Sequence, residues 1–248
     1  MLTKPTISDE EMAVRTDLAA CYRLIAHFGW DDLIYTHISA RVPGERDQFL
    51  INPMGSLFEE ITASSLVKVD LEGNQIGAEP QRINKAGFLI HSAILGARQD
   101  VDCAIHLHTH DGVAVSALEC GLLPLNQSSI AMSADIAYHE FRGPEMKLEE
   151  CDRLVADLGN HGAMMLRNHG TLAAGRSVAD AFHRIYVLEW SCSAQVRTLG
   201  MGRPLHMVSD YAVTETIDLT GSLSDELLGL EWSALLRKLD RQDPSFRN

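Results

Sequence analysis

Three short strand-like segments follow one another directly between residues 37 and 74. "HISARV" alternates Ile38, Ala40 and Val42 with polar neighbours, and "FLIN" and "LVKVDLEGN" each read as a strand, the second ending in a turn. A period of two is typical of strands. Because these strands are not separated by helices, we expect a mixed sheet rather than a doubly wound parallel one.

Helical spacing fills much of the remaining chain. Ser8 and Glu11 have the pattern of a capping box before a helix that ends at Gly29. Further helices are predicted over 84–98, 112–118, 149–158 and 177–199, and further strands over 102–108 and 163–170. The predicted fold class is α/β, with a sheet sandwiched between helices.

Size and charge exclude several classes of protein. A chain of 248 residues fits one domain, predicted here over residues 1–248. The net charge of −13 argues against nucleic acid and membrane partners. No signal-like or membrane-spanning segment is present, which predicts a cytoplasmic protein, and the five scattered cysteines are expected to be buried, reduced thiols.

The stretch "CAIHLHTHDG", residues 103–112, places histidines at positions 106, 108 and 110. In a strand, residues i and i+2 point to the same side, so His106 and His108 present two imidazoles together. A catalytic transition metal such as zinc takes three protein ligands and keeps one position open. Two histidines can equally be ordinary surface or core residues, so a third ligand is needed.

Two residues are candidates for that ligand. His110 continues the alternation, but a rise of about 3.3 Å per residue carries its ring too far along unless the strand bends. His169 in "LRNHGTLAAG" lies past a second apolar strand, at a turn where glycine allows close approach of the backbone. We therefore favour His106, His108 and His169.

Further motifs accompany these histidines. They are "LIYTHISARVPG", "FLINPMGSLFEEITASSLVKVDLEGN", "INKAGFLIHSAILGARQDVDCAIHLHTHDGVAVSALECGLLPL", "YHEF", "LRNHGTLAAG" and "AQVRTLG". Together they resemble the class II aldolase/adducin family, and within it the adducin branch. The resemblance runs from about Asp9 to Met201, and "EWSALLRKLD" is similar to the close of the adducin head domain.

The resemblance implies a three-layer αβα sandwich with a central mixed, largely antiparallel sheet. It also implies a homotetramer with active sites at subunit interfaces, with residues from about 203 to 248 packing there. Carried over by motif, His106, His108 and His169 bind a divalent transition metal. Zinc is the first expectation, and manganese or another metal is the alternative.

One departure from the family bears on mechanism. The sugar-phosphate aldolases carry an acid/base glutamate four residues before the position of His91, and that place is Gly87 here. A glycine cannot transfer a proton, so the aldolase mechanism does not carry over intact.

The phosphate pocket departs as well. The family builds it from small hydroxyl residues, glycine and asparagine, and the predicted substrate-binding residues here are His37, Met54, Gly55, Asn84, Lys85 and His91, with Ile34 and Ala86 beside them. Lys85 and His37 suit a carboxylate as well as a phosphate, and the apolar Met54 favours a less polar ligand. We expect a carboxylate-bearing substrate, which can be aromatic.

Three further residues have two possible roles. His91 shares a helix face with Phe88 and Leu95, which favours a packed, hydrogen-bonded histidine over a proton shuttle. Tyr138 and His139 are candidate catalytic acids, and interface packing is their alternative role.

Two functions are compatible with these residues. The first is a metal-dependent lyase that breaks a carbon–carbon bond by retro-aldol cleavage or decarboxylation, through an enolate that the cation stabilises. The second is a non-catalytic module for binding and oligomerisation, like the adducin head. The retained histidines favour the lyase, and the reaction type and the substrate stay open.

Overall fold

A computed structural model of the chain describes residues 7–77, 81–143, 148–220 and 224–248. Residues 1–6, 78–80, 144–147 and 221–223 of the predicted 1–248 domain lie outside the described residues. None of the predicted site residues falls in those four segments.

Seven strands in the described ranges form one sheet. They are β1 (His37–Val42), β2 (Glu45–Ile51), β3 (Val67–Asp70), β4 (Cys103–Leu107), β5 (Ile136–His139), β6 (Ala163–Leu166) and β7 (Gly170–Gly175). The strand order is β3-β2-β1-β4-β7-β6-β5. Only β5 and β6 pair in parallel, and the other neighbours are antiparallel. The prediction of a mixed, largely antiparallel sheet is confirmed.

Helices cover both faces of this sheet. They are α1 (Asp9–His27), α2 (Lys85–Ala97), α3 (His110–Ser116), α4 (Gln127–Ser133), α5 (Leu148–Leu158), α6 (Val178–Gly200), α7 (Asp210–Thr220) and α8 (Asp225–Gln242). Helices α2 and α5 bury apolar residues against one face, and α1, α3, α6 and α8 against the other. The predicted three-layer sandwich is therefore confirmed. No helix in the described ranges has both the length and the apolarity to cross a bilayer.

Three local predictions need correction. Ser8 caps α1 by accepting a hydrogen bond from the Glu11 amide at 3.1 Å, but the Glu11 carboxylate binds Arg15 and Lys68, so only half of the capping box forms. Helix α3 begins at His110, two residues earlier than predicted. Cys120 is exposed, which corrects the expectation that every cysteine is buried.

The strand register sets the position of the site. His37 on β1 pairs with His106 on β4, and Leu107 pairs with Thr171 on β7. The tight connection from β6 to β7 carries His169 and returns the chain to the end of β4. Histidines distant in sequence therefore meet at one end of the three central strands.

The C-terminal helix packs on its own chain. Trp232 and Leu239 of α8 and the following Phe246 join the core formed with α1 and α6. The indole Nε1 of Trp232 donates to the Asp17 carboxylate at 2.9 Å. A role of residues 203–248 at a subunit interface remains a prediction.

Tyr22 links α1 to the sheet. Its ring is fully buried, and its hydroxyl accepts hydrogen bonds from the amides of Ile38 at 2.8 Å and Asn52 at 3.2 Å. The hydroxyl also contacts the Asn52 side-chain oxygen at 2.9 Å. One phenol thus joins the helix to β1 and to the end of β2.

Removing this hydroxyl leaves buried polar groups without their partner. We expect Tyr22→Phe to lower the free energy of unfolding by about 1–3 kcal/mol, measured by urea denaturation. Tyr35→Phe is the matched control, because Tyr35 is 53% exposed, and it is expected to change stability negligibly. Equal stability of the two variants would contradict the role assigned to Tyr22.

Candidate metal centre

Three imidazoles converge at the end of the central strands. The Nε2 atom of His108 lies 2.9 Å from Nε2 of His106 and 3.0 Å from Nε2 of His169. Within the described residues, these three side chains form the one cluster of potential ligands whose donor atoms all lie within 4.8 Å. The three histidines predicted from the sequence are therefore brought together.

Each ring is positioned by a different local feature. His106 belongs to β4 and His108 follows it, so the period of two turns both rings toward the same side. Asn168 has a φ of 57°, a left-handed conformation that asparagine tolerates, and it turns the chain at His169. Gly170 completes this turn, since a Cβ there would lie 2.3 Å from the Leu107 carbonyl oxygen.

Hydrogen bonds orient two of the rings. Nδ1 of His106 lies 2.9 Å from the Thr171 carbonyl oxygen, and Nδ1 of His108 lies 3.0 Å from the Asp32 carboxylate. A ring that donates from Nδ1 leaves the Nε2 lone pair available to a metal, and a carboxylate or carbonyl partner is the usual arrangement around metal-binding histidines. Asp32 is thus a carboxylate that orients His108 on the exposed side of the centre, and it was not predicted from the sequence.

The donor set suits a transition metal. Burial lowers the pKa of His106 well below its usual value, and repulsion from the neighbouring histidines acts in the same direction, so the ring is held neutral as ligation requires. Bonds of 2.0–2.1 Å in a tetrahedral site separate two nitrogens by about 3.3 Å, which is close to the spacing of the Nε2 atoms. Three imidazoles, two of them oriented through Nδ1, fit zinc.

A second row of polar residues lies behind His106. Nδ1 of His37 lies 2.8 Å from Nε2 of His91, and Nδ1 of His91 meets the Ser39 hydroxyl. The rings of His37 and His106 are 5.2 Å apart between centroids. Burial lowers the pKa of His91 to about 3, so this row is neutral. His91 is fully buried and hydrogen-bonded, as its helix position predicted, and that burial argues against direct contact with a substrate.

Gly87 and His37 fit against each other. A Cβ on Gly87 would lie 2.2 Å from Cδ2 of His37 and 2.5 Å from its Nε2. The imidazole therefore occupies the space through which a side chain at position 87 would have to pass. The family's glutamate is absent from this sequence, and the structure fills its place with the His37 ring.

Tyr138 and His139 do not lie together. As neighbours on β5 they face opposite sides of the sheet. The Tyr138 hydroxyl accepts from the Leu122 amide at 3.1 Å beneath the Arg167 guanidinium, and His139 is buried between the carboxylates of Asp157 and Glu150. Their catalytic role stays a prediction, and the structure does not place the two rings in one site.

The remaining predicted substrate residues surround the start of α2. Met54 and Gly55 lie on an exposed turn, which the φ of 101° at Gly55 requires. The Asn84 side chain caps α2 by accepting from the Ala86 and Gly87 amides. Lys85 is the exposed first residue of α2 and lines a cavity of about 460 Å³.

A buried carboxylate lies on the opposite side of the two ligand-bearing segments. Glu189 of α6 is 2% exposed and accepts hydrogen bonds from the hydroxyls of Thr109 and Thr171. Burial raises the pKa of Glu189 to about 7. Neither Glu189 nor Asp32 carries a local sequence signal, because their hydrogen-bond partners lie 18 to 80 positions away.

Comparison with known proteins defines the class. Residues 16–196 match the family described as "Class II Aldolase and Adducin N-terminal domain". A Caulobacter vibrioides protein with a provisional class 2 aldolase name is 49% identical over 247 residues, which cover 99% of this chain and 96% of that protein. The chain therefore belongs to the class II aldolase and adducin family.

Three further proteins are similar to the chain. An aldolase II superfamily protein from Pseudomonas syringae has a solved structure with a TM-score of 0.92, 44% identity and 98% coverage of both chains. Mouse alpha-adducin is 45% identical over 202 residues, which cover 80% of this chain but 27% of the adducin. L-fuculose 1-phosphate aldolase from Glaciozyma antarctica has a TM-score of 0.85 and 26% identity, covering 100% of this chain and 97% of its own.

The contact between Gly87 and His37 can be tested by adding one methyl group. We expect Gly87→Ala to lower the free energy of unfolding by about 1–3 kcal/mol, because the buried His37 ring must shift. Gly96→Ala on the same helix is the matched control. Its Cβ would lie 3.8 Å from Leu71, so it should be neutral or stabilising by up to about 1 kcal/mol.

The double variant His37→Ala/Gly87→Ala should recover part of the loss, because the ring that clashes is gone. Denaturant unfolding of all four proteins measures this coupling. Additive effects of the two substitutions would contradict the proposed fit. For the same reason, Gly87→Glu alone is expected to displace His37 rather than to restore the family's acid/base group.

Proposed function

We propose that this protein is a metal-dependent lyase that cleaves a carbon–carbon bond in a small molecule bearing a carboxylate or carbonyl group. The convergence of three Nε2 atoms at 2.9–3.0 Å carries this proposal. His106, His108 and His169 would hold the metal, with zinc as the first choice and manganese as an alternative. Membership of the class II aldolase and adducin family supports a metal-dependent reaction.

A divalent metal at this position supplies a Lewis acid that stabilises negative charge developing on a substrate oxygen. The surrounding residues determine which reaction can use it. The buried polar groups behind the ligand cluster are imidazoles and a hydroxyl rather than carboxylates, and burial holds His37, His91 and His106 neutral.

The missing glutamate favours decarboxylation over the aldolase reaction. Retro-aldol cleavage begins with removal of a proton from a hydroxyl group, which needs a base. Gly87 offers no base, and the His37 ring fills the space that a side chain at position 87 would occupy. Loss of carbon dioxide needs no such proton abstraction, so this step is compatible with the residues present.

Protonation of the product is assigned to water. Tyr138 and His139 were the predicted donors, but their polar atoms are engaged by Leu122, Asp157 and Glu150. His37 is also a predicted substrate-binding residue, but its ring is 3% exposed and its Nδ1 is held by His91, so burial argues against its direct contact with a substrate as it does for His91. Lys85 is the predicted anchor for the substrate's anionic group.

An apolar rim near the histidines supports a substrate with an apolar part. Leu33 follows the orienting Asp32 and is 64% exposed, and the Phe141 ring centroid lies 6.2 Å from that of His169. Met54 and Tyr35, on the turns beside Asn84, are also exposed. Aliphatic and aromatic surface of this kind lowers the cost of binding an aromatic or branched acid relative to a sugar phosphate.

A binding module like the adducin head is the second candidate function. Identity to mouse alpha-adducin, at 45%, exceeds the 26% found for the fuculose phosphate aldolase.

In either case we propose a cytoplasmic homotetramer with sites at subunit interfaces, as the family resemblance implies. Exposed Tyr211 and Leu219 on α7 support a surface covered by another subunit.

One experiment separates the two functions. The wild-type protein, His106→Ala and His110→Ala are each loaded with zinc and incubated with 2-hydroxy acids, 3-keto acids and sugar phosphates, and release of carbon dioxide or a new carbonyl group is followed. His110 is the matched control, since it is an exposed histidine at the start of α3, outside the cluster.

We expect turnover of a carboxylated compound by the wild type and His110→Ala, and a loss of at least about 100-fold in His106→Ala. The zinc content of His106→Ala should fall with its activity. A wild-type protein that holds no stoichiometric zinc, together with the same state of assembly in the wild type and both variants, would support the binding module instead.

A further inference from the structure

We propose that Glu189 is a positioning residue that ties the segment after His108 to the segment after His169 and so fixes the spacing of the three imidazoles. This inference rests on the proposed metal centre. Its basis is a set of contacts on the face of the sheet opposite the histidine rings, where α6 packs on β4 and β7.

The first contact fixes the segment after His108. Thr109 follows that histidine directly, and its hydroxyl donates to Oε2 of Glu189 while accepting from the Gly112 amide at 2.9 Å. Thr109 is thereby both the N-cap of α3 and a hydrogen-bond partner of α6. A shift of Glu189 would move the backbone on which His108 is carried.

The second contact fixes the other segment. Thr171 lies two residues after His169, and its hydroxyl donates to Oε1 of Glu189. The carbonyl of the same residue accepts from Nδ1 of His106, 2.9 Å away. Glu189 therefore reaches His106 through one intervening residue as well as holding the turn that carries His169.

The packing leaves little room for these groups to move. A Cβ on Gly112 would lie 2.7 Å from the Thr109 hydroxyl, 2.9 Å from Cγ2 of Thr171 and 3.0 Å from Oε2 of Glu189. A carboxylate buried this fully is costly unless its oxygens are hydrogen-bonded. Both oxygens of Glu189 accept hydrogen bonds from the two segments that carry the proposed metal ligands. Apolar neighbours on α6, such as Leu188, pack into the same core.

Zinc affinity separates positioning from simple structural support. The dissociation constant for zinc is measured by competition with a chelating dye, beside the melting temperature of the metal-free protein. We expect Glu189→Ala to weaken zinc binding by about 10–100-fold, and Glu189→Gln, which keeps one acceptor oxygen, to recover part of the loss.

Asp180→Ala is the matched control on the same helix. The Asp180 carboxylate is 6% exposed and binds the Arg176 amide and Arg184, away from the histidines. This variant should lower the melting temperature and leave the zinc dissociation constant within about twofold, since it moves no ligand segment. A folded Glu189→Ala protein with wild-type zinc affinity would overturn the proposal.

A second pair of variants decides the matter if Glu189→Ala does not fold. Thr171→Val removes the hydroxyl with little change of volume and keeps the backbone carbonyl, whereas Thr171→Ser keeps the hydroxyl. We expect weaker zinc binding in Thr171→Val only, and wild-type affinity in that variant would overturn the inference. Failure of the wild type to bind zinc would overturn both the metal centre and this role, whereas unchanged affinity in the variants would overturn this role alone.

Discussion

The pairing register of β4 between β1 and β7 is the constraint on which the rest of the site depends. It places His37 beside His106 and Thr171 beside Leu107. Because side chains alternate along a strand, a slip by one residue would turn His106 into the layer of α1 and α6. Burial of Cys103, Ile105 and Leu107 on that face opposes the slip, so the same apolar contacts that stabilise the core also aim the imidazoles.

A second constraint is the close packing of neutral groups behind the histidine cluster. His37, His91 and Ser39 form a hydrogen-bonded row, and the missing side chain at Gly87 makes room for it. The absence of a side chain at Gly87 and the position of the His37 ring therefore depend on each other. The site brings together the three histidines that the family resemblance implies as metal ligands, and it has a glycine at position 87, which is why a different reaction or a binding role is proposed.

Much of this site could be predicted from sequence, and the rest depends on long-range contacts. The period of two in β4 predicted that His106 and His108 share a side, and the "NHG" turn predicted His169. Strand β7, "GTLAAG", was not predicted, because its small residues show no alternation of polar and apolar side chains. Glycine is required at position 175, because a Cβ there would lie 2.4 Å from the Ala181 amide nitrogen. Asp32 and Glu189 give no local signal, since each acts on a residue that folding alone brings near. Tyr138 and His139 were paired by adjacency, although neighbours on a strand face apart.

The central claim is that three histidines, and no other side chains, bind a metal at the end of β4. X-ray absorption at the zinc edge of the zinc-loaded full chain measures this directly. We expect nitrogen or oxygen neighbours at about 2.0–2.1 Å, with the outer-shell scattering of three imidazole rings. A sulfur neighbour at about 2.3 Å, or scattering from fewer than three imidazoles, would contradict ligation by the three histidines.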